Sequence, residues 1–175
     1  ESNNKIAETV EITGRVRDAY ETAPKDIYGY SLIEMPVNAS GVMTPEDITV
    51  NYVYRLKSAT VITRYFDENE KEIGKQIELN GQVFDHYETT PKDIYGYQLI
   101  KTPENVSGSM SEDVIYVDYV YTLKGAQVIV ACLDENEKEI GEATIITGKV
   151  FDEYKTQAAE IKGYRVVKLQ KMPLV

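Results

Sequence analysis

Hydrophobic and polar side chains alternate along several stretches of the chain. A period of two is typical of β-strands with one buried and one wet face. In residues 48–56 every second side chain is apolar or aromatic. Residues 59–66 repeat this alternation and place Val61, Thr63 and Tyr65 on a common face. We therefore predict strands in both segments, each with one face in a hydrophobic core.

The middle part of the chain can be divided into elements in the same way. After the strand at 59–66, the letters DENEK predict a hairpin turn into a second strand that carries Ile77 and Leu79. The alternation breaks between Phe84 and Pro91, where we expect a short helical or irregular segment, Pro91 being able to open one helical turn. Then follow a strand at 97–101, a loop at 102–111 and a closing strand at 114–123. With the closing strand beside the opening strand in mid-sheet, this order predicts a mostly β module of the β-grasp (ubiquitin-like, α+β) type.

The whole pattern recurs along the chain. DENEKEIG begins at Asp67 and again at Asp134, a shift of 67 residues. The same shift superimposes IYGY at Ile27, IYGY at Ile94 and IKGY at Ile161. A fixed long period is typical of an array of similar modules rather than of one enzyme domain. We predict three tandem repeats, of which the first lacks its opening strand, the second is complete and the third lacks its closing strand: residues 1–57, 58–124 and 125–175.

The glycine between two tyrosines has a predicted folding role. Gly96 is expected to take a positive φ, or to let another backbone approach closely, so that Tyr97 can enter the next strand. A unit of this size buries only about 60% of its unfolded surface, so it is marginal alone. The 14 tyrosines, with no tryptophan, fit a core built on aromatic rings.

Composition removes several classes of partner. The chain has 29 acidic and 19 basic residues, for a net charge of −10, and nucleic-acid binding needs the opposite balance. No apolar run approaches the length of a membrane-spanning helix. The single cysteine, Cys132, rules out an internal disulfide and a cysteine metal cluster, and we interpret it as a small apolar strand residue.

Catalytic motifs are not found in the sequence. His86 is the only histidine, and its position holds Ala19 and Glu153 in the other repeats, which indicates an exposed residue without a catalytic role. The sequence has no glycine-rich phosphate loop and no HExxH zinc motif. We therefore predict a protein that is not an enzyme and needs no cofactor.

The DENEKE turns have a second interpretation as calcium sites. Asp67, Asn69 and Glu72 bring oxygen ligands to a short turn, but an EF-hand loop needs an oxygen where Lys71 stands and a glycine where Glu72 stands. The pattern favours a solvated hairpin tip and no metal site, and it leaves a weak surface calcium site open.

Tyrosines are the remaining candidates for binding, because a flat ring that also forms hydrogen bonds suits a sugar. Most fall on the presumed core face: Tyr52, Tyr54, Tyr65, Tyr119 and Tyr121. We predict ligand contact instead at Tyr28 and Tyr95, whose third-repeat equivalent is Lys162, and at Tyr116, which faces away from the core side of its strand. A lysine at the equivalent position indicates that the first two are exposed.

Taken together, YFDENEKEIG, LNGQVFDHYETTPKDIYGYQLI and VSGSMSEDVIYVDYVY resemble the MucBP (mucin-binding protein) repeats of cell-wall-anchored surface proteins of Gram-positive bacteria. The resemblance covers essentially all of the chain. It implies β-rich tandem modules, an extracellular location, adhesion to host mucin or other glycoconjugates, and a wall anchor outside this sequence. It implies no catalytic residues. The family often has glycine where Glu70 and Glu137 stand, which predicts either a positive φ costing about 1 kcal/mol or a changed turn type.

Two functional hypotheses remain at this point. In the first, the repeats bind host glycoprotein weakly and multivalently. With a net charge of −10 they do not attract sialate or sulfate over long range, so affinity would come from neutral sugar faces, from protein backbone, or from many weak modules acting in parallel. In the second, the repeats are a stalk that projects a distal binding domain and bind nothing themselves. Since the outer repeats lack strands, we interpret the chain as part of a longer polypeptide. We expect its sheet edges to be frayed, completed by other residues, or paired with a neighbouring chain.

Overall fold

The computed structural model describes residues 5–167 of the chain. Within this range the regular elements are all β-strands. The same residues contain no helix that is long and apolar enough to cross a membrane. The prediction of a mostly β chain built as a tandem array is confirmed. The helical alternative for residues 84–91 is wrong. Residues 86–88 form a short strand with Tyr87 buried in the core, and Pro91 lies in an irregular segment.

The first repeat contains four short strands that form two separate pairs. They are β1 (Ala19–Glu21), β2 (Tyr30–Glu34), β3 (Ser40–Val42) and β4 (Val53–Leu56). Both pairs, β1 with β3 and β2 with β4, are antiparallel. Residues 5–15 form no strand. Their equivalents in the second repeat, residues 72–82, form a strand that pairs with the opening strand of that repeat.

The second repeat forms a four-stranded sheet. Its strands are β5 (Ser58–Asp67), β6 (Glu72–Gln82), β7 (His86–Glu88), β8 (Tyr97–Lys101), β9 (Ser107–Ser109) and β10 (Ile115–Leu123). The order in the sheet is β6-β5-β10-β8, with β5 and β10 parallel and the outer pairs antiparallel. The closing strand therefore lies beside the opening strand in mid-sheet, as the sequence predicts. The short pair β7–β9 forms a separate two-stranded sheet, whose Tyr87 packs into the same core.

The third repeat has one antiparallel hairpin among the described residues. It consists of β11 (Gly125–Val130) and β12 (Thr144–Lys149), which are equivalent to β5 and β6. The repeat's final residues, 168–175, lie outside the described range. Pairing of these outer edges with a neighbouring chain stays a prediction.

The core of the second repeat is built on tyrosine. Tyr65 stacks on Tyr119 with ring centroids 6.0 Å apart. The Tyr121 hydroxyl donates to the Lys92 carbonyl at 2.8 Å and accepts from its amide at 3.0 Å. The buried set is Ala59, Val61, Thr63, Tyr65, Val83, Tyr87, Met110, Val117, Tyr119 and Tyr121. Among the described residues no buried side-chain polar atom lacks a partner. The core role predicted for the tyrosines is confirmed here, and their first-repeat equivalents Tyr52 and Tyr54 are half-buried.

The hairpin tips are closed by an aspartate side chain. One carboxylate oxygen of Asp67 accepts the amides of Asn69 and Lys71, each at 2.9 Å, so it is already used to close the turn. Glu70 takes φ 62°, and Glu137 takes φ 63° in the matching third-repeat turn. Of the two outcomes predicted for these glutamates, the structure therefore has the positive φ.

Candidate functional site

The turn that follows β6 holds a phenylalanine in an unusual conformation. The Asp85 amide donates to the Gln82 carbonyl at 3.0 Å, and the Asp85 carboxylate accepts the Gln82 amide at 2.7 Å. Between them Phe84 takes φ 75°. This place in a turn normally favours glycine, and a bulky residue at positive φ is a strained outlier. The equivalent residues Arg17 and Phe151 have φ 78° and 73°.

Phe84 lies against the Tyr-Gly-Tyr step of the preceding repeat. Its ring centroid is 5.9 Å from that of Tyr28 and 6.2 Å from that of Tyr30. Between the two tyrosines, Gly29 is buried and has φ 82°. A Cβ atom at Gly29 would lie 2.7 Å from the Phe84 ring. We call the contact of residues 28–30 with Phe84 the first junction.

The second and third repeats meet in the same way. The Phe151 ring lies 6.1 Å from Tyr95 and 6.4 Å from Tyr97. Gly96 has φ 82°, and a Cβ atom there would lie 2.8 Å from the Phe151 ring. We call this contact the second junction. The positive φ predicted for Gly96 is confirmed, but a phenylalanine ring rather than a backbone approaches the glycine.

Backbone hydrogen bonds connect the repeats at both junctions with matching geometry. The Val83 amide donates to the Lys57 carbonyl at 3.0 Å, and the Val150 amide donates to the Lys124 carbonyl at 2.9 Å. Lys57 is in turn held by its own amide, which donates to the Gly29 carbonyl at 2.8 Å. The last strand of one repeat, its glycine and the next repeat's turn therefore form one hydrogen-bonded unit.

Charged contacts differ between the junctions. At the first, the Glu112 carboxylate accepts the Gly29 amide at 2.6 Å and pairs with Lys57 Nζ at 3.0 Å. These two hydrogen bonds hold the pKa of Glu112 below its usual range. At the second, Lys149 Nζ pairs with the Glu68 carboxylate at 3.2 Å. These are exposed pairs of modest strength, so the ring contact is the feature common to both.

The junction rings are also accessible from outside. Tyr28 is 60% exposed and Tyr95 is 84% exposed, which agrees with the exposure inferred from Lys162. Phe84 and Phe151 are 51% and 65% exposed. Each junction therefore presents a small aromatic patch to solvent while its glycine is buried.

Tyr116 belongs to a different surface. It lies on β10 and is 48% exposed, and the Arg64 guanidinium lies over its ring at 4.3 Å. Arg64 also forms two hydrogen bonds to the Asp118 carboxylate, at 2.8 and 2.7 Å, and these raise its pKa. A shallow groove beside the ring is lined by residues 101–105 and Asp118. The structure therefore separates the three predicted tyrosines: Tyr28 and Tyr95 lie at two junctions, and Tyr116 lies on the sheet.

Other chemistry finds little support in the described part of the chain. Residues 5–167 contain no group of three or more His, Cys, Asp and Glu side chains arranged to hold a metal ion. His86 is exposed on β7, as predicted. Cys132 is a free, half-buried thiol, but it lies just after β11 and not in a strand, so the prediction of a strand residue is wrong. Neither forms part of the junctions.

Sequence reasoning overlooked Phe84 and Phe151. A signal was nevertheless present in the repeat alignment. The first residue of the tyrosine step is Tyr28, Tyr95 and Lys162 in the three repeats, and the turn residue is Arg17, Phe84 and Phe151. When each step residue is compared with the turn residue of the next repeat, Tyr28 is matched with Phe84 and Tyr95 with Phe151, so both junctions combine two aromatic residues.

The MucBP domain family model matches three segments, residues 1–55, 60–122 and 127–173. The chain belongs to the MucBP domain family. It is also similar to internalin J of Listeria monocytogenes serotype 4b, with 34% identity over 171 residues that cover 94% of this chain and 19% of that protein. Internalin J of serovar 1/2a is 38% identical over 160 residues, covering 87% of the chain and 19% of the relative.

A more distant relative is internalin I of serotype 4b, at 28% identity over 173 residues, 95% of the chain and 9% of the protein. The MucBP chain therefore spans about a fifth, or less, of the length of these relatives.

Proposed function

We propose that these MucBP repeats are non-enzymatic, extracellular adhesion modules of a bacterial cell-wall-anchored surface protein. They make weak contacts with mucin or other glycoconjugates of a host. Membership of the MucBP domain family and similarity to Listeria internalins support a role on the bacterial surface.

The observation that carries the proposal is the recurrence of an exposed aromatic patch at each junction. Tyr28 with Phe84, and Tyr95 with Phe151, place two rings side by side with more than half of every ring residue exposed. The C–H face of a neutral sugar stacks on such rings. One patch is a weak site, but copies spaced along an array suit a long, repetitive glycan, because linked weak contacts raise apparent affinity.

Tyr116 offers a second type of contact on the second repeat. Its exposed ring borders a groove with the side chains of Thr102 and Asn105, which can form hydrogen bonds. The positive charge of Arg64 is paired with Asp118, so the groove suits neutral sugars better than acidic ones. Thr49 stands at the equivalent position of the first repeat, so this contact would not recur along the array.

The test is binding of the whole chain to immobilised mucin and to a panel of neutral and sialylated glycans. We expect Tyr28→Ala with Tyr95→Ala to reduce the signal strongly and Tyr116→Ala to reduce it less. Tyr28→Phe with Tyr95→Phe keeps the rings and should retain most of the binding. Arg17→Ala serves as a matched surface control. Undiminished binding in the double alanine variant would contradict the assignment of the junction rings.

A stalk is the second candidate, and one observation favours it. Each junction combines ring packing, a backbone hydrogen bond and an ion pair, which suits an array that must hold a distal domain at a fixed direction. A stalk predicts that the wild-type chain binds neither mucin nor glycans at any density on the surface. Density-dependent binding that is lost in the double alanine variant would exclude it.

A further inference from the structure

The aromatic residues at the repeat boundaries are distributed in a non-uniform way. Where two repeats meet, a tyrosine step faces a phenylalanine: Tyr28 faces Phe84, and Tyr95 faces Phe151. The two remaining positions of the same series are basic, Arg17 in the first repeat and Lys162 in the third. Aromatic residues therefore stand on both sides of each boundary within this sequence, and basic residues stand at the two positions that have no partner position in it.

The glycine geometry supports a recognition role for these contacts. Gly29 and Gly96 have positive φ, and each lies so close to the following ring that a Cβ atom would collide with it. Gly163 has the same conformation, with φ 88°, but no described atom lies within 4 Å of its Cβ position. The third repeat therefore forms the same backbone step, although no ring packs on it among the described residues.

The turn conformation is common to all three repeats, and only the side chain differs. A non-glycine residue in this region costs about 1–2 kcal/mol, and Arg17, Phe84 and Phe151 all take it, so the ring and not the strain distinguishes the two junctions. In this turn conformation, the rings of Phe84 and Phe151 contact the preceding repeat. Because the glycine belongs to the leading repeat and the ring to the following one, the contact has a direction.

We propose that the Tyr-Gly-Tyr step and the turn phenylalanine form a directional recognition surface between repeats. The partner of each step is the Val-Phe-Asp turn of the repeat that follows it in the chain. This contact sets the angle between neighbouring repeats and selects which repeat can follow. The inference is independent of glycan binding.

The test measures the distance between spin labels on neighbouring repeats in the full chain. Glu21→Cys with Glu88→Cys reports on the first junction, and Glu88→Cys with Lys155→Cys on the second, both in a Cys132→Ser background. The labelled sites are exposed in all three repeats. We expect Phe84→Ala and Phe84→Arg to broaden the distance distribution of the first junction about twofold. Without the ring, the remaining contact between the repeats is small, and small inter-domain contacts permit relative motion. The second distribution should not change.

Matched controls separate recognition from general damage. Arg17→Phe adds a ring at the same turn position, with no tyrosine step opposite it among residues 5–167, so both distributions should stay narrow. Gly29→Ala should broaden the first distribution from the other side of the contact. Circular dichroism of the Phe84 variants should show that the second repeat remains folded. A narrow first distribution in either Phe84 variant would overturn the proposal.

Discussion

Two sets of tyrosines in this chain have different surroundings, although both include rings that recur after 67 residues, as Tyr52 with Tyr119 and Tyr28 with Tyr95 do. Tyr65, Tyr119 and Tyr121 are buried in the sheet of the second repeat. Tyr28 and Tyr95 are mostly exposed and meet the ring of another repeat. The buried set holds one module together, and the exposed set lies between modules. Recurrence alone therefore does not distinguish residues that stabilise a repeat from residues that connect repeats.

Their hydrogen bonds show the same difference. The Tyr121 hydroxyl makes two bonds to Lys92, and the Tyr119 hydroxyl bonds to Thr89 at 3.0 Å. Burial raises the pKa of Tyr65 and Tyr121. The first repeat reproduces this network, with Tyr54 donating to the Lys25 carbonyl at 2.7 Å. The core tyrosines thus fix the irregular segment after β7 to the sheet, which explains why this segment needs no helix.

The largest effect should come from emptying the tyrosine core. Tyr65→Ala removes a fully buried ring that stacks on Tyr119, and it should destabilise the second repeat by about 3–5 kcal/mol. Tyr95→Ala removes an exposed ring and should cost less than about 1 kcal/mol within that repeat. Chemical denaturation with hydrogen exchange on β5 and β10 measures both. Equal losses would contradict the division into core and junction tyrosines.

A pair of glycine substitutions compares Gly96, which the Phe151 ring covers, with Gly163, whose Cβ position has no described atom within 4 Å. Gly96→Ala and Gly163→Ala impose the same backbone strain of about 1 kcal/mol, because both residues have a similar positive φ. Only Gly96→Ala also pushes a Cβ atom into a ring, that of Phe151 at 2.8 Å. Overpacking of this type typically costs a further 1–3 kcal/mol, approximately.

The difference between the two variants should appear as weaker coupling of the second and third repeats, measured as a loss of cooperativity in thermal unfolding. Gly163→Ala is the control, since it keeps the strain and lacks the collision. If both variants unfold alike, ring contact does not contribute to coupling at that junction.

Much of the fold can be predicted from the sequence, for identifiable reasons. The strands β5, β6, β8 and β10 are long enough to show alternation, and the repeated closing segment identifies the parallel pair at the centre of the sheet. The strands β7 and β9 have three residues each, which is too short for a period of two to be visible. They are recognised only by the pairing of Tyr87 with Gly108.

The candidate site was harder to predict because it depends on contacts between repeats. Val-Phe-Asp reads locally as the end of a strand, and its positive φ comes from the Asp85 hydrogen bonds. Comparison of equivalent positions within one register cannot show that Tyr28 meets Phe84, because the two belong to different repeats and different positions. The exposure of Tyr28 and Tyr95 could be inferred from Lys162. Their contacts with the phenylalanine rings of the following repeats could not be inferred in this way.

Relief of strain at a position outside the junctions gives a smaller, stabilising effect. Glu70 closes the hairpin tip with φ 62°, and its side chain is exposed to solvent. Glu70→Gly should stabilise the second repeat by about 1 kcal/mol, because glycine adopts this conformation without steric cost. Phe84→Gly relieves the same strain and also removes the junction ring, so it should not stabilise the array. Thermal unfolding of the two variants sharpens the distinction between turns that only reverse the chain and turns that connect repeats.

The smallest effect concerns the acid dependence of the first junction. The Glu112 pKa is lowered from 4.5 by hydrogen bonds from the Gly29 amide and Lys57, so the ionised form is the one that stabilises the contact. A depressed folded pKa means that this contribution is fully present above 4.5 and is lost as the pH falls through the lowered value. The spin-label distribution of the first junction should therefore stay constant from pH 7 to about 4.5 and broaden below it. In Glu112→Gln the distance distribution should already be broader at neutral pH and should not change further on acidification. Glu104→Gln changes an exposed acid of the same repeat, and its distribution should still broaden at low pH as in the wild type. Identical pH curves for wild type and Glu112→Gln would show that the ring contact alone, without the carboxylate, orients the first two repeats.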